Sequence, residues 1–150
     1  MKRPNTLTLT VAGGIETCGA DEAEQLGFRV SGRPVSGIVP IDATLESLPS
    51  LHASLRSVSR VLVPLSERAV TSWDDVYDAA IAVSWAGIIT PDLTFAVHAS
   101  SRHQSLTDHR YLAMTVKDAI VDVQRRVGGQ RSSIDRRNPR IQVVAHLTRS

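Results

Sequence analysis

The stretch Leu93–Val127, LTFAVHASSRHQSLTDHRYLAMTVKDAIVDVQRRV, decides the fold, because it holds a strand, a polar loop and a long amphipathic helix in one run. Leu93 to Ala99 is dominated by apolar and β-branched residues and punctuated at its start by Pro91-Asp92, which predicts a buried strand. Asp108 is placed to cap a helix in which Leu112, Val116, Ala119, Ile120, Val123 and Val127 recur at helical spacing, and Gly128-Gly129 ends it. At roughly 100° per residue, Arg110, Lys117 and Arg125 fall within about 80° of one another and opposite the apolar stripe. The helix is therefore expected to bury one face and present a basic one outward.

Between strand and helix lies SSRHQSLT, residues 100–107, with Arg102, His103 and Gln104. Hydrogen-bond donors on a loop held by two regular elements suit phosphates or single-stranded bases, and they equally suit an ordinary solvated connection. The charge distribution favours the first reading. From Ser100 onward there are ten Lys and Arg against four Asp and Glu, a net of +6, whereas residues 1–99 have seven against eleven, a net of −4. Segregation of this kind is the footprint of a polyanion-facing surface.

Outside this stretch, composition sets limits. At 150 residues with 42% hydrophobic content the chain makes one ordinary domain or two small ones, and disorder is excluded. The single cysteine, Cys18, has no partner for an internal disulfide and fits a reducing compartment. With no basic or histidine neighbour to activate it, Cys18 is expected to be a small buried side chain on a helix. Lys2 and Arg3 are followed by Pro4-Asn5 and alternating TLTLTV rather than an apolar core, so no secretion signal is read. No apolar run approaches the roughly 20 residues that span a bilayer, so a soluble, cytoplasmic protein without a membrane partner is expected.

Taken in order, Thr6–Val11 alternates as a half-buried strand, Gly13-Gly14 turns the chain, and Ile15–Leu26 is helical with Gly27 closing it. Phe28–Ser31 and Ser36–Ile41 read as two strands joined by a hairpin-like turn at Gly32, Arg33 and Pro34. Thr44–Leu55 reads as a helix with Pro49 as a point of division, and Val58–Leu65 as a closing strand. The order β-α-β-β-α-β predicts a ferredoxin-like unit over residues 1–65, two helices on one face of an antiparallel sheet. Over residues 66–150 the order is helix, strand, helix, strand. The first helix is opened by Ser72 with Asp75 as a capping box, and the last strand, Arg140–Leu147, is entered from Asn138-Pro139. The fold class is α+β. Trp73 and Trp85 are expected as packing anchors rather than base-stacking platforms.

Several chemistries are excluded by spacing. VAGGIE lacks the G-x-G-x-x-G of a dinucleotide turn. His98, His103 and His109 have no cysteine companions and match no common zinc pattern; His98 is expected as a satisfied strand histidine. No nucleophile elbow joins Ser, His and Asp. Asp118 and Asp122 are one helical turn apart and are expected to pair with Lys117, Arg125 and Arg126 on a solvated face. Asn138-Pro139-Arg140 is assigned to turn formation. No catalytic, metal or cofactor site is read in the chain.

The succession SWAGIITPDLTFAVHASS, YLAMTVKDAIVD and RSSIDRRNPRIQVVAHL resembles the THUMP domain of the bacterial large-subunit ribosomal RNA guanine-N2 methyltransferases, with Trp85, Phe95, Val97, His98, Lys117, Asp118, Asp135 and Pro139 at matching positions. GGIETCGADEAEQLG and LRSVSRVLVPL are similar to the ferredoxin-like domain that precedes it there. RSSID and NPRI depart from the family's R-P and P-D-I segments. The resemblance implies an RNA-binding module, with ribosomal RNA favoured over transfer RNA, that positions its substrate for a methyltransferase domain or subunit. Cofactor use, of S-adenosylmethionine, is expected only in that catalytic part, whose glycine-rich loop and N-P-P-Y-like motif have no counterpart here. It also implies a THUMP-type α/β unit lacking its last strand.

The expected RNA-binding residues are Arg102, His103, Gln104, Arg110, Lys117, Arg125, Arg131, Arg136 and Arg137, with Arg140 as an extension, all gathered on one outward surface. The alternative is a protein-interaction module that completes a separate subunit, or pairs with a second copy, through an open sheet edge beside residues 140–147.

Overall fold

Alternation in the first strand is what its sequence demands: Leu7, Leu9 and Val11 point to one side and are buried, while Thr6, Thr8 and Thr10 are half-buried on the other. In the computed structural model, which describes residues 5–149, this strand β1 (Thr6–Val11) is followed by helix α1 (Glu16–Gln25), strands β2 (Arg29–Val30) and β3 (Ile38–Asp42), helix α2 (Leu48–Ser54) and strand β4 (Val58–Leu62). The sheet order β2-β3-β1-β4, antiparallel throughout, is the ferredoxin-like arrangement. Leu7, Leu9, Val39, Ile41, Ala23 and Leu51 form its fully enclosed core.

Several local expectations are corrected. The turn between β2 and β3 covers residues 31–37 rather than 32–34. Its tight point is Ser36-Gly37, at φ 53° and 78°, closed by paired backbone bonds between Val35 and Ile38. Gly37 must be glycine, since a Cβ there would stand 2.7 Å from the Val11 carbonyl oxygen. The expected helix 44–55 is a 3-10 turn over Leu45–Ser47 and then α2, with Pro49 in its first turn, where a missing N–H costs nothing. β4 ends at Leu62 instead of Leu65. Cys18 is exposed, not buried. Helix α1 turns its small-residue edge, Gly19, Ala20 and Ala23, to the sheet, and residue 18 lies off that edge.

From Ser66 the chain forms a second compact unit. Helix α3 (Trp73–Ile81) begins at the expected capping box: Ser72 Oγ accepts from Asp75 N (3.1 Å), and the Asp75 carboxylate accepts from Ser72 N (2.9 Å). A 3-10 turn, Trp85–Gly87, leads to strand β5 (Phe95–Ser101), helix α4 (His109–Gly128) and strand β6 (Ile141–Leu147). β5 and β6 are parallel in unbroken register from Phe95↔Ile141 to Ser101↔Leu147, so β5-α4-β6 is a βαβ crossover. β5 lies two residues later than its sequence pattern suggests.

Helix α4 packs on α3 and β5 through Leu112, Val116, Ala119 and Ile120. Val127, expected in that stripe, is 71% exposed. A 20-residue helix is about 30 Å long, against about 23 Å for a seven-residue strand, so its last turn projects past the sheet. Gly129 ends it at φ 71°. Trp85 is 3% exposed and donates to the Ala80 carbonyl (2.7 Å), and Trp73 meets Tyr111 edge to face, so both tryptophans are packing anchors. Among the described residues no helix is long and apolar enough to cross a membrane.

Candidate nucleic-acid interface

Parallel strands have two distinct ends, and in the second unit each end carries its own basic group. At the C-terminal end of β5, the loop 102–108 is shaped by its own side chains. Ser101 Oγ donates to the Leu106 carbonyl (2.5 Å) and accepts from His103 N (3.2 Å). His103 Nδ1 accepts from Ser105 N and Leu106 N, both at 3.1 Å, which leaves the ring proton of the neutral side chain on Nε2. Leu106, 5% exposed, roots the loop in the core. Arg102 and Gln104 stand exposed on it, and Arg102 N bonds to the Leu147 carbonyl at the end of β6 (2.8 Å). Asp108 caps α4 by accepting from Arg110 N (2.9 Å) and Tyr111 N (3.0 Å); the Tyr111 bond is the largest reason its carboxyl stays below the ordinary range. Exposed Arg110 stands in this first turn.

His146, beside this loop on β6, had no place in the sequence argument. Its Nδ1 bonds to Ser100 Oγ (2.7 Å), while Nε2 is buried and has no hydrogen-bond partner among the described residues. Burial, and after it the charge of Arg102, pushes its pKa down.

At the opposite end, residues 129–140 cross over the start of β5. Ile134 bridges Phe95 on one side and Ile141 pairs with Phe95 on the other. Asp135 Oδ1 accepts from Arg137 N (2.9 Å) and Asn138 N (3.0 Å), making an Asx turn at the tip. Arg125, Arg131, Arg136, Arg137 and Arg140 are exposed here. The two ends lie about 20 Å apart along the strands.

The expected single surface is therefore divided. Arg102, His103, Gln104 and Arg110 are brought together at one end, and Arg125, Arg131, Arg136, Arg137 and Arg140 at the other. Lys117, midway along α4, belongs to neither. Its ammonium is ion-paired to Asp118 (2.7 Å), and its side chain is only 33% exposed. Among the described residues Asp122 makes no ion pair; it accepts from the Tyr77 hydroxyl (2.7 Å), which raises the tyrosine's pKa. Arg126, next to Arg125 in the last turn of α4, is also exposed, and among the described residues neither makes the ion pair expected with Asp118 or Asp122.

The balance of charge follows from these contacts. Four carboxylates lie in residues 100–150, and each serves an internal purpose: Asp108 as cap, Asp118 with Lys117, Asp122 with Tyr77, Asp135 in its turn. Among the described residues, none of the nine arginines in that span makes an ion pair.

Other ligands fit poorly. Among the described residues no three His, Cys, Asp or Glu side chains are grouped to hold a metal. The Gly13-Gly14 turn after β1 is filled by Glu16, whose carboxylate accepts from Gly14 N (3.0 Å) and Gly37 N (2.7 Å).

An antiparallel ferredoxin-like unit followed by a βαβ unit with arginine at both strand ends defines a two-part α+β module. Residues 70–150 match the THUMP domain, residues 6–62 match the RlmL ferredoxin-like domain, and the chain belongs to the THUMP-domain family. It is 33% identical over 146 residues, 93% of its length, to the ribosomal RNA large subunit methyltransferase K/L of Acinetobacter baumannii. It spans 20% of the length of that relative. Two solved structures share the fold. A putative methyltransferase complexed with SAH has a TM-score of 0.78 at 20% identity, over 98% of this chain and 40% of that one. A 4-thiouridine synthetase in an RNA complex with bound ATP has a TM-score of 0.52 at 12% identity, over 96% of this chain and 38% of that one.

Proposed function

We propose that this chain is the RNA-binding part of a cytoplasmic ribosomal RNA methyltransferase. It takes RNA by its phosphates and positions it for a methyltransferase domain or subunit, which supplies the chemistry with S-adenosylmethionine. The chain itself performs no step of methyl transfer. The observation that carries this reading is the commitment of every carboxylate in the C-terminal third to internal bonds while its nine arginines make no ion pair among the described residues. Guanidinium groups held apart from carboxylates present a phosphate with forked donors that no internal anion occupies. The name of the Acinetobacter relative supports ribosomal RNA as the substrate, and the RNA complex of the synthetase supports this fold as an RNA-binding one.

The test is titration of the chain with a fluorescent RNA hairpin over a range of KCl. Each phosphate neutralised contributes roughly 0.7 to 0.9 to the slope of log affinity against log salt. A steep slope is expected. Affinity indifferent to salt would overturn phosphate capture and direct attention to β6, which pairs only with β5 among the described residues and offers its other edge to a partner strand.

A further inference from the structure

The crossing over the start of β5 is more firmly built than a connecting loop needs to be. Its two feet are fastened to adjacent residues, one to Phe95 and the other to Thr94. On one side Phe95 N donates to the Ser133 carbonyl and Asp135 N to the Phe95 carbonyl, both at 3.1 Å. On the other, Arg140 N donates to Thr94 Oγ1 (3.1 Å) and Ile141 N to the Thr94 carbonyl (3.0 Å). Beneath the near foot lies a closed polar pair. Gln124 and Ser132 are 3% and 2% exposed, the buried polar residues among those described. Gln124 Nε2 donates to the Ile89 carbonyl (2.7 Å) and to Ser132 Oγ (2.8 Å). Gln124 Oε1 accepts from Ser132 N (3.0 Å), and Ser132 Oγ donates to the Thr90 carbonyl (2.8 Å). Every strong donor and acceptor of this pair is used internally, so it is a fastening and not a ligand site.

What it fastens is an arch bearing Arg131, Arg136, Arg137 and Arg140, with Arg125 and Arg126 on the helix turn beside it. Its one carboxylate, Asp135, is spent on the Asx turn. We propose that this arch is a phosphate-binding site in its own right, separate from the 102–110 end, and that Gln124 and Ser132 are its positioning residues, holding the arginines in place before RNA arrives. The inference rests on the RNA-binding reading above and adds to it where the backbone is gripped and what pre-sets the grip. Pre-setting matters because an arginine on a mobile loop loses backbone and side-chain freedom on binding, and one on a fastened arch loses less.

The experiment uses the whole chain, the same RNA hairpin and the same salt titration, at a temperature where circular dichroism shows every variant folded. The double variant Arg136→Gln/Arg137→Gln is expected to bind about tenfold more weakly, with a salt slope shallower by about 1.5. Ser132→Ala, which removes no charge, is expected to weaken binding about threefold. That loss shrinks when Ser132→Ala is made in the double-variant background, because the serine acts through the arch arginines. A wild-type slope in the double variant, with a reduced slope in Arg102→Gln/Arg110→Gln, overturns the arch as a site and leaves RNA binding standing. A Ser132→Ala loss of equal size in both backgrounds overturns the positioning role. A wild-type chain that binds no hairpin at all removes the RNA reading beneath both.

Discussion

The two ends of the β5–β6 pair are built by opposite means. The C-terminal end is shaped by bonds among neighbours: Ser101, His103, Ser105 and Leu106 fold the loop with contacts no more than five residues apart. The N-terminal end is held by bonds that reach 8, 35, 42 and 46 residues along the chain. That loop takes its shape from these local bonds and is joined to the rest of the unit by Leu106 in the core and by Arg102 N to the Leu147 carbonyl (2.8 Å). An arch tied to distant elements holds its place only while those elements stay packed, so it is the end where one buried side chain governs the most surface.

The sharpest way to break that contrast is at Gln124. Gln124→Ala strips partners from the Ile89 carbonyl, Ser132 N and Ser132 Oγ and leaves a cavity, so a loss of roughly 3 kcal/mol in urea unfolding is expected. A change below half that size would mean that the arch does not depend on its fastening.

Acid acts on the other end. His146 has its pKa held below the ordinary 6.5 by burial and by Arg102, so the unfolded chain takes up its proton first as pH falls. Stability contributed by neutral His146 is complete above 6.5 and declines below it, down to the lowered folded-state value. Urea midpoints measured across this range should fall in the wild type and flatten in His146→Gln. An unchanged decline in the variant would place the sensitive group elsewhere.

The smallest effect is expected between the ends. Lys117→Gln removes a charge already paired with Asp118, so the salt slope for RNA should change by less than about 0.3, well under the value for one full phosphate contact. A drop of a whole contact would join the two ends into a continuous surface along α4.

The same contrast explains what was legible in the sequence. Period-two alternation in β1 and period-3.6 burial in α4 are local signals, and the Ser72 and Asp108 caps are read from residues within three positions. The ferredoxin-like order and the parallel crossover follow from such signals. The polar loop 102–107 was visible for the same reason. Helical angle alone ranks Lys117 with Arg110 and Arg125, and its pairing with Asp118 is as the sequence predicts. Val121 and Gln124, its neighbours on the wheel, are buried, which makes its side of the helix a boundary rather than an outer face. Gln124 did leave a trace, a polar residue four positions after Ile120 on the buried side. Its partners Ile89, Thr90 and Ser132 are scattered along the chain, and no periodicity predicts which carbonyls a buried amide will meet. Gathering on one face failed likewise, since a strand's length separates charges that adjoin in sequence.

Parallel register has a consequence for how the molecule is made. β5 cannot find β6 until the intervening helix has been synthesised and folded back, because Thr94 meets Arg140 and Ile141 only across that whole span. Such non-local pairing forms late, after loop closure has been offset by packing. The arch that carries Arg131, Arg136 and Arg137 is therefore set in place only when β5, α4 and β6 have come together.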